Sequence, residues 1–226
     1  MSAVPMTYAQ AAALALSQAM QADPHVIALG EDLGRGGVFG QYRDEAGAPL
    51  VQRFGADRII DTPISESTIV GAAVGMALAG CTPVVELRVV DFALCAIDEV
   101  VNQAAKNRYM FGGQGRVPMV MRMPIGIWTA SAAQHSQSLE AWYTHIPGLV
   151  VICPATPADA KGLLKSAIRC YDPVVYMEHK VLWPLEGEVP DGDELVPIGK
   201  ARVARPGRDI TLVTWSAAVH VAMQAA

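Results

Sequence analysis

Short apolar segments alternate along most of this chain with longer segments of helical composition. The apolar segments predict strands at 26–29, 58–60, 83–89, 118–123, 149–153 and 173–177. The predicted helices span 7–22, 66–79, 92–110, 138–145 and 157–169, and Thr7 is the expected N-cap of the first. Uniformly apolar strands are typical of a parallel sheet covered by helices on both faces. Loops that follow such strands meet along one edge, where ligands bind.

Composition excludes several classes of protein. Of the 226 residues, 52% are hydrophobic and 17% are charged, which excludes a disordered chain. The 17 Lys and Arg face 22 Asp and Glu without a basic block, so nucleic acid is not expected as a partner. Segment 68–85 is uncharged, but a break at 80–83 and a following strand predict a buried helix and strand rather than a membrane span.

The four cysteines are far apart in the sequence and form no Cys-x-x-Cys pair. They are Cys81, Cys95, Cys153 and Cys170. With no secretory leader at the start, they are expected to be reduced thiols in a cytoplasmic protein.

Changes in residue composition and apolar pattern divide the chain into three parts. Residues 1–182 form the predicted α/β domain, and 183–208, rich in Pro, Gly and acidic residues, form a predicted linker. A strand at 209–214 and a helix from Ser216 then predict the beginning of a second, truncated α/β domain over 209–226.

Common catalytic motifs are missing from the sequence. It contains no G-x-x-x-x-G-K-S/T phosphate loop, no G-x-S-x-G nucleophile elbow and no H-E-x-x-H zinc motif. Hydrolase, kinase and zinc-enzyme functions are therefore disfavoured.

Two side chains stand out as candidates for proton or hydrogen-bond chemistry. Glu66 is the only acid at the head of an uncharged helix that contains Gly71 and Gly75. It either interacts with the helix dipole or serves as a lone carboxylate in an apolar wall. His135 lies in a loop at the expected ligand edge and is an acid/base candidate, although a structural role is equally open.

Several long runs resemble one family. They are DTPISES (61–67), VDFALCAIDEVVNQAAKNRYMFGG (90–113) and AAQHSQSLEAWYTHIPGL (132–149), with GEDLG, DAKGLLKSAIR and IGKARV in support. They are similar to the β subunit of thiamine-diphosphate-dependent 2-oxo acid dehydrogenases, the pyruvate, branched-chain and acetoin group. The resemblance implies a thiamine-diphosphate-binding fold of the pyrimidine-binding type, followed by the start of a transketolase C-terminal-like domain.

The resemblance also implies roles for individual residues. Glu66 matches the cofactor glutamate, which hydrogen-bonds N1′ of the aminopyrimidine and favours its reactive imino tautomer. Phe92 matches an aromatic residue that packs against the pyrimidine ring. His135 matches the active-site histidine expected near the substrate carbonyl and the lipoyl group.

A potassium site is implied by the same resemblance. Its ligands are the carbonyls of Met119, Ala167 and Ile168, together with Cys170 and Asp172. Cys170 stands where relatives commonly have Asp, and a neutral thiol is a poor ligand for a hard cation.

The resemblance further implies partners. In this family a G-D-G motif on the α subunit holds the diphosphate and its Mg²⁺, and this sequence has no G-D-G. The expected assembly is an α/β heterotetramer containing a second β subunit, which works with a lipoyl-bearing acyltransferase. The expected activity is that of a pyruvate dehydrogenase-type, acetyl-transferring oxidoreductase component, which decarboxylates a 2-oxo acid and reductively acylates lipoyl groups.

Two other activities remain open from the sequence. One is that of an acetoin dehydrogenase β subunit, and the other is that of a repurposed thiamine-diphosphate carboligase or decarboxylase component. Segment 125–131, IGIWTAS, replaces a stretch that is usually glycine-rich and predicts a stiffer, larger loop near the active-site mouth.

Overall fold

A six-stranded parallel sheet forms the centre of the molecule in the computed structural model, which describes residues 3–226. The chain contains strands β1 (Ala3–Thr7), β2 (Val26–Gly30), β3 (Ile59–Asp61), β4 (Thr82–Glu86), β5 (Val120–Ile125), β6 (Val150–Ile152), β7 (Val174–His179) and β8 (Glu186–Pro190). The central sheet has the order β3-β2-β4-β5-β7-β6, and all its neighbouring strands are parallel. The predicted parallel sheet is confirmed.

Helices cover both faces of this sheet. They are α1 (Tyr8–Ala22), α2 (Val51–Phe54), α3 (Glu66–Leu78), α4 (Ala105–Met110), α5 (Glu140–Thr144), α6 (Pro157–Ile168) and α7 (Ala218–Ala225). Helices α1 and α6 contribute to one apolar core, whereas α3 contributes to the other. Thr7 caps α1 as predicted. Its side-chain oxygen accepts a hydrogen bond from the backbone N–H of Gln10, and the Gln10 side-chain oxygen accepts one from the backbone N–H of Thr7.

The predicted helix 92–110 is three shorter segments in the structure. A 3₁₀ segment (Val90–Ala96) is followed by a π-helical segment (Glu99–Ala104) and then by α4. The spacing of the backbone hydrogen bonds changes along this stretch, a variation that apolar periodicity does not reveal.

The predicted linker at 183–208 contains a strand. β8 pairs with β1 antiparallel, with Val189 opposite Val4, to form a separate two-stranded sheet. Trp183, at the start of the predicted linker, is buried. The sequence did not predict β8, because Val189 is its only fully buried side chain and its apolar pattern is therefore weak. The strand is stabilised instead by backbone pairing with β1, which is distant in sequence.

The strand predicted at 209–214 is wrong in the described chain. No strand of residues 3–226 pairs with it, and Ile210, Leu212 and Val213 are exposed. Without a neighbour to exchange backbone hydrogen bonds, an apolar run does not form a strand. The assignment of 209–226 to a second domain stays a prediction.

Among residues 3–226, no helix is long and apolar enough to cross a membrane.

Candidate functional site

Three of the sequence-predicted site residues lie at the carboxyl edge of the central sheet. Glu66 begins α3, a few residues after β3 ends. Phe92 lies in the 3₁₀ segment after β4, and His135 ends a 3₁₀ turn after β5. Because these strands are parallel, their following loops meet along one edge, as expected from the sequence.

Phe92 and His135 are in direct contact. Their ring centroids are 5.1 Å apart and their planes make an angle of 89°, an edge-to-face arrangement. Both side chains are half-buried. Two residues that are 43 positions apart in sequence therefore form one aromatic contact at the carboxyl edge.

Glu66 is a buried carboxylate at the head of α3. Its side chain is 9% exposed, and among residues 3–226 no group donates a hydrogen bond to it. A carboxylate in this state is able to accept a hydrogen bond from a ring N–H of a ligand. The helix that follows contains no further charge.

A second buried carboxylate, Glu31, lies near Glu66. It follows β2, is 7% exposed, and its Oε1 has no hydrogen-bond partner among the described residues. Burial raises the pKa of Glu31, and the nearby charge of Glu66 raises it further. Sequence reasoning used Glu31 only as part of the GEDLG run. The sequence signal that could have identified Glu31 as a site residue is its position as an acid directly after an apolar strand, at the edge where ligands bind.

Gly30 allows the chain to carry Glu31 to this position. Its φ is +145°, and a Cβ there would lie 2.1 Å from the Glu86 carbonyl oxygen. Only glycine fits such a backbone conformation and such a close approach. A side chain at this position would displace β2 from β4 at the edge of the site.

Three buried polar atoms without a hydrogen-bond partner among the described residues lie near this edge. Besides Glu31 Oε1, the buried Thr62 Oγ1 precedes α3 and the buried Asp91 Oδ2 precedes Phe92, and neither has a partner among the described residues. Buried polar groups normally form hydrogen bonds, so these atoms and Glu66 fit a ligand that brings its own N–H or O–H donors. An aromatic ring at Phe92 adds a surface for a flat heterocycle.

The loop that was predicted to be unusual is fixed by aromatic packing. Trp128 lies edge-to-face on Phe39 at 4.8 Å, and Phe39 stacks on the buried Trp183 at 5.1 Å. The glycine-rich loop 30–47 and the loop that leads to His135 are thereby in contact.

Beneath the site, three charged residues are buried inside the sheet. Arg122 on β5 donates to both oxygens of Glu178 on β7, at 2.8 and 2.9 Å. The Glu86 carboxylate on β4 lies 3.8 Å from Arg122 Nε and accepts from Gln41 and Tyr42, each at 3.0 Å. This network joins the glycine-rich loop to the sheet. Sequence reasoning missed it, although Glu86 and Arg122 lie within two predicted apolar strands and Glu178 directly follows a third.

The stability of the fold should depend on pH through Glu86. Burial raises the pKa of this carboxyl to about 7 from 4.5, and Arg122 opposes the shift. Between pH 4.5 and pH 7 the Glu86 carboxyl is protonated to a greater extent in the folded chain than in the unfolded chain. The contribution of Glu86 to the free energy of unfolding should therefore be fully present below pH 4.5 and fall by up to about 3 kcal/mol as the pH rises through 7.

Urea unfolding at pH 5 and pH 7.5 measures this dependence. We expect Glu86→Gln to remove most of the slope, whereas the exposed Glu45→Gln should leave it unchanged. An identical slope in Glu86→Gln and the wild-type protein would exclude Glu86 as its source.

The predicted potassium ligands lie at the opposite edge of the sheet, where β5 and β7 begin. The Met119 carbonyl accepts from the Val174 amide at 2.8 Å, and the Ala167 carbonyl accepts from the Cys170 amide at 3.0 Å. The Asp172 carboxylate is paired with Arg108. The set also includes the Ile168 carbonyl at the end of α6. A neutral thiol and a carboxylate already paired with a cation fit a potassium ion poorly.

Comparisons with known proteins agree with this fold. Residues 4–185 match the family described as "Transketolase, pyrimidine binding domain". The solved structure titled "Split gene transketolase, inactive beta4 tetramer" aligns with a TM-score of 0.75 and 21% identity, covering 97% of this chain and 66% of that one. At this identity the likeness shows the fold alone.

Three curated relatives are more similar in sequence. The acetoin:2,6-dichlorophenolindophenol oxidoreductase subunit beta of Cupriavidus necator is 49% identical, and the alignment covers 94% of this chain and 64% of the relative. The 2-oxoisovalerate dehydrogenase subunit beta of Bacillus subtilis is 45% identical over 98% of this chain and 67% of its own length. The pyruvate dehydrogenase E1 component subunit beta of Rhizobium meliloti is 46% identical, and the alignment covers 98% of this chain and 47% of the relative.

This chain therefore spans about two thirds or less of the length of these relatives. The family match, the relatives and the fold agree with the resemblance found in the sequence. The chain belongs to the transketolase pyrimidine-binding domain family, in the group formed by the beta subunits of acetoin and 2-oxo acid dehydrogenases.

Proposed function

We propose that this chain supplies the aminopyrimidine half of a thiamine diphosphate site in the β subunit of a pyruvate dehydrogenase-type, acetyl-transferring 2-oxo acid dehydrogenase. The observation that carries the proposal is the Glu66 carboxylate, 9% exposed and without a donor among residues 3–226, at the same sheet edge as the Phe92–His135 contact. The names of the three relatives support the reaction class.

The residues at the carboxyl edge fit this cofactor, since they offer a buried acceptor and an aromatic surface. Thiamine diphosphate, when bound, supplies the carbon nucleophile that adds to the carbonyl of a 2-oxo acid. Glu66 would hold the proton at N1′ of the aminopyrimidine, and Phe92 would pack against the ring. The largely buried surroundings of Glu66 would strengthen this hydrogen bond.

His135 would act on the substrate rather than on the cofactor. Its imidazole would donate a hydrogen bond to the negative charge that develops on the substrate carbonyl, and would face the incoming lipoyl group. We expect His135→Ala to lower reductive acylation of lipoyl groups roughly 100-fold, because one positioned proton donor is lost.

Thiamine diphosphate affinity, measured by calorimetry, should be unchanged in His135→Ala. The exposed His145→Ala is the matched control and should retain full turnover. Wild-type rates in both half-reactions for His135→Ala would contradict this role.

The other half of the site is proposed to come from a partner. An α subunit would hold the diphosphate and Mg²⁺, a second β subunit would complete a heterotetramer, and a lipoyl-bearing acyltransferase would receive the acyl group. The beta-subunit names of the relatives support a partner chain. The potassium ion and the cytoplasmic location stay predictions.

A second candidate is an acetoin dehydrogenase β subunit. The observation in its favour is the 49% identity to the acetoin oxidoreductase subunit of Cupriavidus necator. The chain, reconstituted with its α subunit, should be assayed with pyruvate and with acetoin. Activity on pyruvate supports the first proposal, and activity on acetoin alone supports the second. Turnover that never acylates lipoamide would instead support a repurposed carboligase or decarboxylase.

A further inference from the structure

A buried lysine next to His135 has no part in the function proposed above. Lys180 directly follows β7 at the carboxyl edge of the sheet and is 3% exposed. Its Nζ donates to the backbone carbonyl of His135. Lysine is almost never fully buried unless its charge has a partner, so this contact requires a reason.

A second side-chain contact holds the same loop. Gln137 Nε2 donates to Asp91 Oδ1 at 2.7 Å, and Asp91 directly precedes Phe92. Asp91 is buried, and its charge counteracts the lowering of the Lys180 pKa by burial. The two charged residues thus lie near each other, and each contacts the loop that contains His135.

The beginning of the loop is attached to its end. The Gly126 amide donates to the Gln137 carbonyl at 2.9 Å. Gly126 has φ +76°, and a Cβ there would lie 2.0 Å from His179 Nε2. His135 therefore belongs to a closed loop that is held by Lys180, the residue after β7, and by Asp91, the residue before Phe92.

We propose that Lys180 and Asp91 are positioning residues, which set the place of the His135 imidazole against Phe92 and the reacting carbonyl. This inference rests on the proposed function. Lys180 is too deeply buried to reach a substrate, and its ammonium contacts the backbone of His135, so it acts through the histidine. A shift of about 1 Å in a reacting group costs up to roughly 100-fold in rate.

The test compares Lys180→Met, Lys180→Arg and Gln137→Ala with the control Lys106→Met. Lys106 also donates to a backbone carbonyl, that of Pro147 at 2.7 Å, but lies away from the histidine loop. The first measurement is amide hydrogen exchange over residues 132–137 of the chain without cofactor. We expect exchange to be roughly tenfold faster in Lys180→Met and Gln137→Ala, and unchanged in the control.

The second measurement is steady-state acylation of lipoyl groups by the enzyme reconstituted with its α subunit. We expect Lys180→Met to lower kcat roughly 10- to 100-fold with KM changed less than about threefold, and Lys180→Arg to restore most of the rate. Gln137→Ala removes the Asp91 contact from a side chain that is exposed, so it provides the test if Lys180→Met does not fold.

Active wild-type enzyme, with exchange and kcat unchanged in Lys180→Met and Gln137→Ala, would overturn the positioning role alone. A wild-type enzyme that processes no 2-oxo acid and no acetoin would contradict the proposed function instead. A loss of kcat equal in Lys180→Met and Lys106→Met would also overturn the inference, because it would show a general effect of lost lysine contacts.

Discussion

Glu66→Gln is expected to lower the turnover of the reconstituted enzyme roughly 100- to 1,000-fold while the chain stays folded. The amide has nearly the same shape as the carboxylate but does not hold a proton at N1′ as a carboxylate does. Glu66 is buried and begins α3, whereas the nearby carboxylate Glu31 follows β2, so the proposal assigns the proton at N1′ to Glu66 alone. The measurement is single-turnover reductive acylation with saturating α subunit and thiamine diphosphate.

Glu99→Gln is the matched control for this variant. Glu99 packs against Gly71 of the helix that Glu66 begins, with its Cγ 3.5 Å from where a Cβ would lie, and it belongs to the π-helical segment Glu99–Ala104. We expect its turnover to be within about twofold of wild type, as for most changes away from a site. Near-normal turnover in Glu66→Gln would remove Glu66 from the mechanism.

Arg122→Met should lower the free energy of unfolding by about 3–5 kcal/mol. The variant leaves Glu178 and Glu86 in the interior without their cation, since Arg122 is 0% exposed and donates to both oxygens of Glu178. Urea unfolding at pH 7.5 measures the loss. The contact from Tyr42 to Glu86 weakens with it, so the glycine-rich loop should open first in hydrogen exchange.

Two further variants test the cause of this loss. Arg116 lies over the Tyr171 ring at 4.7 Å near the surface, so Arg116→Met should cost less than about 1 kcal/mol. The double variant Arg122→Met, Glu178→Gln should regain part of the lost stability, because it removes an unpaired buried charge. Arg122→Met with wild-type stability would show that the network contributes nothing.

The central sheet and its covering helices were predictable because each element shows its own pattern of apolar residues. The N-cap at Thr7 was predictable for the same reason, since the capping signal is local. The strand β8 and the failure of 209–214 to form a strand were not, because both depend on whether a distant segment pairs with them.

The candidate site shows the same division. Glu66, Phe92 and His135 were identified from local runs of sequence, and the parallel order of the strands accounts for their common edge. Glu31 near Glu66, the contact of Lys180 with His135, and the Glu86–Arg122–Glu178 network depend on strand register and loop closure. Residues far apart in the chain have no signal of contact in a single sequence.

Calorimetric titration with thiamine diphosphate, of this chain alone and of its complex with the α subunit, tests the central claim most directly. The claim is that this chain carries one half of a cofactor site and that a partner carries the other. We expect no saturable binding to the chain alone, and one site for each α/β pair in the complex. Equally tight binding with and without the α subunit would contradict the claim.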